Sequence, residues 1–264
     1  MSHDMRYHSA KAHAHITKER LKVYERAFEL KNQGLGPRRI SRLIHVPMNT
    51  VGGWFYKGSH PLGSTHQLEI EPSSELSYVI GVSLGDGSTY YNKKSQCYRI
   101  CLTVKAKEFA DSFSKAISRI VGRTTPYKVM PCKRNLYHVE IGCYVLFTFL
   151  RQPLEKLKLY IKAFPKDFLR GFYESEGNLA IHKYYWDIKK RKRIRKTFQL
   201  RLNMSNLRRE LLLIAKEALE DLGLHPTLVG PYKACKLYQV FLSRNNEVRR
   251  FMNLVMPCIK RGGI

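Results

Sequence analysis

Two short segments of the chain read almost alike, and each ends in an acidic residue followed by glycine. They are residues 79–87 (VIGVSLGDG) and residues 169–177 (LRGFYESEG). Each is an apolar run, predicted to be helical, with a glycine on its packing face. Such a glycine allows two helices to approach closely. If the two helices pack side by side, Asp86 and Glu176 emerge together at one end of the pair.

Two carboxylates at one point repel each other. A pair of this kind implies bound divalent cations or a shared proton, and in a chain this basic a metal ion is the better explanation. We also expect the glycine that follows each acid, Gly87 or Gly177, to take the left-handed conformation that ends a helix. The sequence thus predicts two helix ends that share a metal-binding point.

The regions that follow the two segments also match, which indicates an internal repeat. Residues 102–105 align with residues 202–205 at an offset of 100, whereas Asp86 and Glu176 are offset by only 90. About ten residues have therefore been added to the second copy, in the interval that holds residues 189–196 (KKRKRIRK). In each copy, the apolar periodicity predicts a helix, two strands, a helix, two strands and a helix.

The paired segments resemble the signature of the LAGLIDADG homing endonucleases, and the resemblance covers roughly residues 73–258. Two copies in one chain correspond to the monomeric form of that family. The resemblance implies an α+β fold in which two pseudo-symmetric αββαββα repeats form a DNA-binding saddle. The predicted boundaries are repeat one at 73–152 and repeat two at 165–258, within an endonuclease domain at 73–264.

Homing endonucleases cut both strands of a specific DNA site, and the resemblance implies this activity for the chain. It implies Mg²⁺-dependent hydrolysis of phosphodiester bonds that leaves short 3′ overhangs, with Mn²⁺ able to replace Mg²⁺. Asp86, Glu176 and the backbone carbonyls of Gly85 and Ser175 are the implied metal ligands. The expected partner is double-stranded DNA with a long, near-asymmetric target. We expect a monomeric, free-standing and intron-encoded enzyme.

Members of the family often place a basic residue at the end of the second strand of each repeat, and Lys105 has this position in repeat one. Lys105 is therefore a third catalytic candidate, although a solvated lysine is the alternative interpretation. Its counterpart in repeat two is Ser205, which is not basic. The second centre thus departs from symmetry, and it would use another lysine, such as Lys183, or react more slowly. Glu174 lies on a different side of its helix from Glu176, so we expect it to have a supporting or structural role.

Alternation along the strands predicts which side chains face the DNA. The apolar residues Ile100 and Leu102, and Leu200 and Leu202 in the second copy, would point to the helices. The residues between them would line the major groove, where each base pair presents a distinct pattern, although a solvated face is the alternative. These groove-facing residues are Arg99, Cys101, Thr103, Gln199, Arg201 and Asn203.

The charge of the chain also points to a nucleic-acid partner. Lys plus Arg number 47 against 21 acidic residues, which gives a net charge of +26 and favours a polyanion. The basic insertion suits phosphate binding better than base reading, and a nuclear targeting signal is the alternative. Its predicted DNA contacts are Lys189, Lys190, Arg191, Lys192, Arg193 and Arg195.

A small all-α domain is predicted ahead of the repeats. We expect a flexible tail at residues 1–17, a helix-turn-helix-like domain at 18–61 and a linker at 62–72. The third helix of this domain would enter the major groove with Thr50 and Lys57 facing outward. A small helical packing module without a DNA-reading role is the alternative.

Several classes of protein are disfavoured by the sequence. There is no apolar run long enough to span a membrane and no apolar signal core at the N-terminus. The six cysteines form no Cys-x-x-Cys pair, so we expect free thiols in a reducing intracellular compartment, the cytoplasm of a prokaryote or an organelle. Two other functions stay open: an RNA-binding intron maturase that uses the same saddle, and a DNA-binding transcriptional regulator that no longer cleaves.

Overall fold

The computed structural model describes residues 3–63, 67–92, 97–188, 193–232 and 236–260, with side chains throughout except at 3–17 and 182–197. The chain divides into two compact units. One consists of residues 1–68 together with 91–99 and 142–145, and the other of residues 69–90, 100–141 and 146–264. No helix in the described part of the chain is long and apolar enough to cross a membrane.

Three helices precede the repeats: α1 (His3–Asn32), α2 (Pro37–Leu43) and α3 (Met48–Tyr56). α1 begins at His3, so a helix covers the segment where the sequence predicts a flexible tail. Pro37 opens α2, as expected for a residue whose missing N–H costs nothing in the first turn. The three helices share an apolar core made of Ala27, Leu30, Ile40, Val51 and Trp54.

Repeat one contains the elements predicted for it, and its four-stranded sheet has the order β1-β2-β4-β3. The elements are α4 (Ser74–Leu84), β1 (Ser88–Asn92), β2 (Cys97–Val104), α5 (Lys107–Ile120), β3 (Met130–Cys132), β4 (Leu136–Gly142) and α6 (Tyr144–Leu150), with one turn of 3-10 helix at Lys133–Asn135.

Repeat two has the same element order, and its sheet has the corresponding strand order β5-β6-β8-β7. An additional helix, α7 (Leu154–Ala163), connects the repeats and was not predicted. The elements of repeat two are α8 (Pro165–Glu176), β5 (Gly177–Ile188), β6 (Arg193–Asn206), α9 (Arg209–Asp221), β7 (Thr227–Val229), β8 (Tyr238–Leu242) and α10 (Asn245–Val255). The predicted α+β fold with two αββαββα repeats is therefore confirmed.

In the sheet of repeat two, called sheet two, successive side chains of the central strands β6 and β8 point to opposite faces. Leu202 pairs with Leu242 and Met204 pairs with Val240, and all four side chains are fully buried. They lie beneath α9 and α10, which pack against β6. The intervening residues of β6 occupy the opposite face. The alternation predicted from sequence therefore sets the core face of this sheet.

α4 and α8 pack against each other at very short range, and glycine makes this possible. A Cβ atom on Gly81 would lie 2.3 Å from the carbonyl oxygen of Phe168, and one on Gly171 would lie 2.3 Å from the carbonyl oxygen of Tyr78. Real Cβ atoms do not approach backbone this closely, so any other residue would push the helices apart. The contact is reciprocal, as expected for two helices related by pseudo-twofold symmetry.

Candidate active site

The acidic ends of the two motifs meet where α4 and α8 end. A Cβ atom on Gly85 would lie 2.4 Å from Cβ of Ser175 and 3.3 Å from Cγ of Glu176. The backbone that leads into Asp86 is therefore in contact with the last turn of α8. This is the arrangement that the repeated motif predicts for Asp86 and Glu176.

The glycines that follow the acids serve a different purpose from the one predicted. Neither Gly87 nor Gly177 takes the left-handed conformation, and Gly177 is extended at φ −84° and ψ 158°. A Cβ atom on Gly177 would lie 2.4 Å from the carbonyl oxygen of Tyr173. The strand starts directly against the helix end, so the constraint on this residue is the lack of space for a side chain.

Asp86 and Glu176 are held in an environment that disfavours their charged forms. Burial raises the pKa of both carboxyls, and the charge of Asp86 raises the pKa of Glu176 further. Oε1 of Glu176 accepts a hydrogen bond from Nδ2 of Asn206 at 3.2 Å, and the ammonium of Lys260 lowers the pKa of both acids. Glu176 is half-buried and Asp86 is exposed, and two neighbouring carboxyls that repel each other are a good site for a cation.

Lys260 is the cationic residue at this site that the sequence does not reveal. Its Nζ atom donates to the carbonyl oxygen of Ser175 at 2.9 Å, and its own carbonyl accepts from the hydroxyl of Tyr173 at 2.9 Å. Burial lowers the pKa of the Lys260 ammonium, while the charges of Asp86 and Glu176 oppose that shift. The residue lies beyond the last repeat, where no motif or periodicity distinguishes it.

Glu174 differs from the two acids beside it because donors surround it. It is 1% exposed and accepts from the hydroxyl of Tyr78 at 2.7 Å, from Nε of Arg170 at 3.3 Å and from the backbone N–H of Cys258 at 2.6 Å. Burial and the charge of Glu174 raise the pKa of Cys258 to about 11. Glu174 thus ties α4, α8 and the C-terminal segment together, in line with the structural role expected for it.

The donor atoms at the helix ends fit a hard divalent cation. The two carboxylates and a backbone carbonyl such as that of Gly85 are oxygen ligands of the kind that Mg²⁺ prefers, whereas the carbonyl of Ser175, the other predicted ligand, accepts from Nζ of Lys260 at 2.9 Å. Among the described residues there is no group of three or more His, Cys, Asp or Glu side chains that could hold a metal ion.

Lys105 and its counterpart Ser205 lie at the ends of corresponding strands of the two repeats but differ in chemistry. Lys105 is exposed directly after β2, in the predicted position. In repeat two, Asn206 at the end of β6 binds Glu176, and the hydroxyl of Ser205 accepts from Gln239 at 3.2 Å. The lysine whose charge acts on both acids is Lys260. The side chain of Lys183 lies outside the described residues.

The polar face of sheet two carries an ordered cluster around Arg201. Its guanidinium donates to Oδ1 of Asn203 at 3.0 Å and to Oε1 of Gln239 at 3.2 Å, and it lies 3.8 Å from the ring centroid of Phe241. Gln199 on the same face donates to the carbonyl of Ser243. Asn203 requires a correction, because it is only 9% exposed and its side chain supports Arg201 from within the cluster. Arg201 is held in a fixed orientation by its contacts with Asn203, Gln239 and Phe241.

The sheet of repeat one, called sheet one, carries three predicted DNA-facing residues, and each has a different environment. Thr103 is exposed, and its hydroxyl shares a 2.8 Å hydrogen bond with Nδ1 of His138. Arg99 is half-buried. Cys101 requires a correction, because it is 6% exposed and its thiol shares a 3.0 Å hydrogen bond with the hydroxyl of Ser88. Alternation places Cys101 on the polar face, but the neighbouring strand covers it.

Two further groups of predicted contacts lie elsewhere in the chain. Thr50 is exposed on α3, and Lys57 is exposed directly after it. Arg193 and Arg195 lie on β6, where they pair with Ile188 and Trp186 of β5. The other four residues of the basic insertion lie outside the described residues: Lys189, Lys190, Arg191 and Lys192.

Known proteins of similar sequence include two from Methanocaldococcus jannaschii. The chain is 30% identical over 237 residues to the uncharacterized protein MJ0398 of Methanocaldococcus jannaschii, a match that covers 84% of this chain and 81% of that relative. The chain belongs to the same family as MJ0398. A second uncharacterized protein of that organism, MJ0314, is 27% identical over 199 residues, which cover 70% of this chain and 64% of MJ0314. No protein-family model matches the chain.

Solved structures identify the fold of this family member. The homing endonuclease I-DmoI in complex with DNA and Mn superposes with a TM-score of 0.52 at 17% identity, covering 72% of this chain and 100% of I-DmoI. A structure of mesophilic I-DmoI variants gives 0.51 at 19% identity, covering 69% and 95% of the two chains. The predicted resemblance is thus confirmed, and the chain has the fold of the LAGLIDADG homing endonucleases.

Proposed function

We propose that this protein is a site-specific endonuclease that cuts double-stranded DNA with divalent metal ions held at Asp86 and Glu176. The observation that carries the proposal is the contact between the acidic ends of α4 and α8, where Gly85 lies against Ser175 and Glu176. The solved structures of I-DmoI with DNA and Mn support it, because that protein shares the fold. The net charge of +26 provides the attraction for the polyanion.

The two acids can supply one catalytic centre for each DNA strand. Asp86 and Glu176, with the carbonyls of Gly85 and Ser175, would hold the metal ions in front of the scissile phosphates. A divalent ion bound there would activate a water for in-line attack, neutralise the nonbridging oxygens and stabilise the leaving 3′-oxygen. Asn206 orients Glu176 through the hydrogen bond to its Oε1 atom. Lys105 remains the candidate for a basic group in repeat one.

The polar faces of the two sheets would bind the major groove on either side of the cut. Arg201 is prepared for this because Asn203, Gln239 and Phe241 fix its guanidinium, which reduces the entropy lost on binding guanine. Thr103 and Arg99 are the corresponding candidates in sheet one. The residues of the basic insertion would hold phosphates, and the third helix of the helix-turn-helix-like domain would enter the major groove with Thr50 and Lys57 facing outward.

The finer features of the activity follow from the same proposal. We propose Mg²⁺ as the working ion with Mn²⁺ as a substitute, and short 3′ overhangs as products. The target would be long and near-asymmetric, because two non-identical repeats read its two halves. The protein would be an intron-encoded monomer that acts in a reducing compartment.

The proposal is tested by a cleavage assay on the DNA from both sides of the gene, joined without the gene between them. This sequence is the substrate because a homing enzyme cuts its own insertion point. Plasmid that carries this sequence is incubated with the protein in Mg²⁺ and, separately, in EDTA. Linear product with Mg²⁺, and none with EDTA or with Asp86→Asn, is the expected result. Specific binding without any cut would favour the non-cleaving regulator, and splicing assistance without DNA binding would favour the maturase.

A further inference from the structure

We propose, on the basis of the proposed function, that Glu140 is a base-reading residue of sheet one and selects a cytosine in the DNA half-site of repeat one. Its carboxylate would accept a hydrogen bond from the N4 amino group of that cytosine in the major groove. Tyr90 and His138 are its positioning residues. Sheet one would thus read a hydrogen-bond donor, whereas sheet two would read the acceptors of a guanine with Arg201.

The first observation is a chain of side chains that joins three strands on the polar face of sheet one. The hydroxyl of Tyr90 on β1 donates a hydrogen bond to Oε2 of Glu140 on β4. The same Oε2 atom lies 3.9 Å from Nε2 of His138, and Nδ1 of His138 shares a 2.8 Å hydrogen bond with the hydroxyl of Thr103 on β2. The carboxylate is therefore held from two sides, so its direction is set before a ligand binds.

The second observation is that Glu140 lies on the face of the sheet that is predicted to meet DNA. Its neighbours along β4, Val139 and Ile141, are fully buried on the core face, so Glu140 and His138 point to the opposite face. The side chains of His138 and Glu140 are 29% and 32% exposed, and Tyr90 is exposed beside them. A ligand on this face can therefore reach the carboxylate, which has about four acceptor sites.

The third observation is the correspondence with the cluster around Arg201 in sheet two. β4 aligns with β8 at an offset of 101, so His138 corresponds to Gln239 and Glu140 corresponds to Phe241. Gln239 and Phe241 are the residues of β8 that hold the guanidinium of Arg201. The same two strand positions thus build a polar cluster in both sheets, around a carboxylate in one and a guanidinium in the other. This exchange of charge fits two half-sites that present opposite hydrogen-bonding groups.

The fourth observation is the rarity of acids in the strands. In the strands that the structure describes, only Glu140 and Asp187 are acidic, in a chain with a net charge of +26. A carboxylate on a DNA-binding face repels phosphate and lowers the affinity for every sequence, unless it faces a base edge that donates. Cytosine and adenine present an amino group in the major groove, and adenine places the acceptor N7 beside it. Cytosine is therefore the better partner for a carboxylate.

Base selection by Glu140→Gln tests the proposal, because this change removes the charge and keeps the shape of the side chain. The joined flanking DNA, varied singly at each base pair, is bound in EDTA, and the bound duplexes are sequenced. We expect wild type to prefer cytosine at one position by on the order of tenfold. Glu140→Gln should lose this preference and favour adenine there, since glutamine pairs with N6 and N7 of adenine. The other positions should keep their wild-type preference.

Matched variants separate base reading from charge and from folding. Glu217→Gln removes an acid of α9 that is paired with Lys158, on the core side of sheet two, and should leave every base preference unchanged. Tyr90→Phe removes only the hydroxyl that holds Glu140, so the preference for cytosine should weaken without a change to another base. A merely structural role of Tyr90 would lower the Tm and weaken binding at all positions alike, and this result would contradict its positioning role.

Retention of the cytosine preference by Glu140→Gln, or an equal change at every position, would overturn the proposal. If Glu140→Gln does not fold, Tyr90→Phe decides, and an unchanged cytosine preference in that variant overturns the proposal. Because the readout is binding, a wild type that selects its target without cutting would remove the proposed endonuclease and leave the assignment of Glu140 standing. A wild type with no base preference would overturn both.

Discussion

Three carboxylates lie at or near the ends of α4 and α8, those of Asp86, Glu174 and Glu176. Their surroundings give them different properties. Glu174 is buried among three donors, so its charge stabilises the fold. Glu176 is half-buried and Asp86 is exposed, the charge of Asp86 raises the pKa of Glu176, and both acids have few donors of their own among the described contacts. Residue type alone does not separate these roles, whereas the hydrogen bonds do.

Removing the charge of Asp86 or Glu176 should abolish cleavage and raise the thermal stability of the protein. We expect Asp86→Asn and Glu176→Gln to abolish double-strand cleavage while DNA binding persists or tightens, because a negative charge near phosphate is removed. In EDTA at pH 8, Asp86→Asn should raise the Tm. The gain should shrink as the pH falls through the raised pKa values of the folded state, because the wild-type acids then protonate and their repulsion is lost. Double-strand cleavage by either purified variant would contradict the metal assignment.

Removing Glu174 should instead destabilise the protein strongly. Glu174→Ala leaves Arg170 and Tyr78 half-buried or buried without their acceptor, and we expect a loss of about 3–5 kcal/mol in the free energy of unfolding. Urea unfolding of this variant beside Asp86→Asn gives the comparison. Similar stability for the two variants would show that Glu174 is not the tie between the helices.

At the scale of the elements, the pair α4 and α8 determines whether the centre forms at all. Gly81 and Gly171 set the distance between the helices, and the Gly85 contact with Ser175 transmits that distance to the acids. A small change in the crossing of the helices would therefore move Asp86 relative to Glu176. Helix packing and the relative position of the two acids are coupled in this fold through backbone contact.

The glycine at this crossing should not tolerate even a methyl group. Gly81→Ala would place a Cβ atom 2.3 Å from the carbonyl of Phe168, so we expect a loss of about 1–3 kcal/mol or more and a steep fall in cleavage rate. Gly142→Ala is the control, because its nearest contact would be an ordinary 3.6 Å to Arg99. Both losses are measured by urea unfolding, and equal effects would indicate a general intolerance of alanine.

Much of the element order followed from periodicity, because each strand or helix has one apolar face. Ile100, Leu102 and Leu202 were assigned to the core on alternation alone, and the structure agrees, whereas Leu200 is only half-buried. Cys101 was misplaced because alternation gives the face of a strand and carries no information about what covers it. Lys260 could not be predicted, since its role depends on a turn at Met256 and on contacts distant in sequence. The helix α7 was missed because it lies between the repeats.

At the scale of the whole molecule, one chain contains both halves of the pseudo-symmetric centre. α4 comes from repeat one and α8 from repeat two, and they already make the helix contact that a dimer would otherwise provide. We therefore expect a monomer. Light scattering at a salt concentration that removes carried-over nucleic acid measures the mass, and a dimeric mass would contradict the expectation.

The last prediction separates affinity from specificity on the DNA-binding surface. Residues 189–196 hold seven cations in eight positions, in the hairpin that is longer in repeat two only, and such a segment suits phosphate binding. Neutralising residues 189–193 together should weaken binding to all sequences alike. For every phosphate that the variant no longer binds, the slope of log affinity against log salt should fall by about 0.9.

Arg201 provides the contrast, because its neighbours fix its guanidinium on the polar face of sheet two. Arg201→Ala should cost on the order of 1–3 kcal/mol at one base pair and relax the choice of base there. Salt titrations of both variants on cognate and scrambled duplexes measure the two effects, with Lys216→Met as a control for the loss of a surface charge. If the protein neutralised at 189–193 loses its sequence preference and keeps its salt slope, then that hairpin reads bases, and the two sheets divide recognition differently from this scheme.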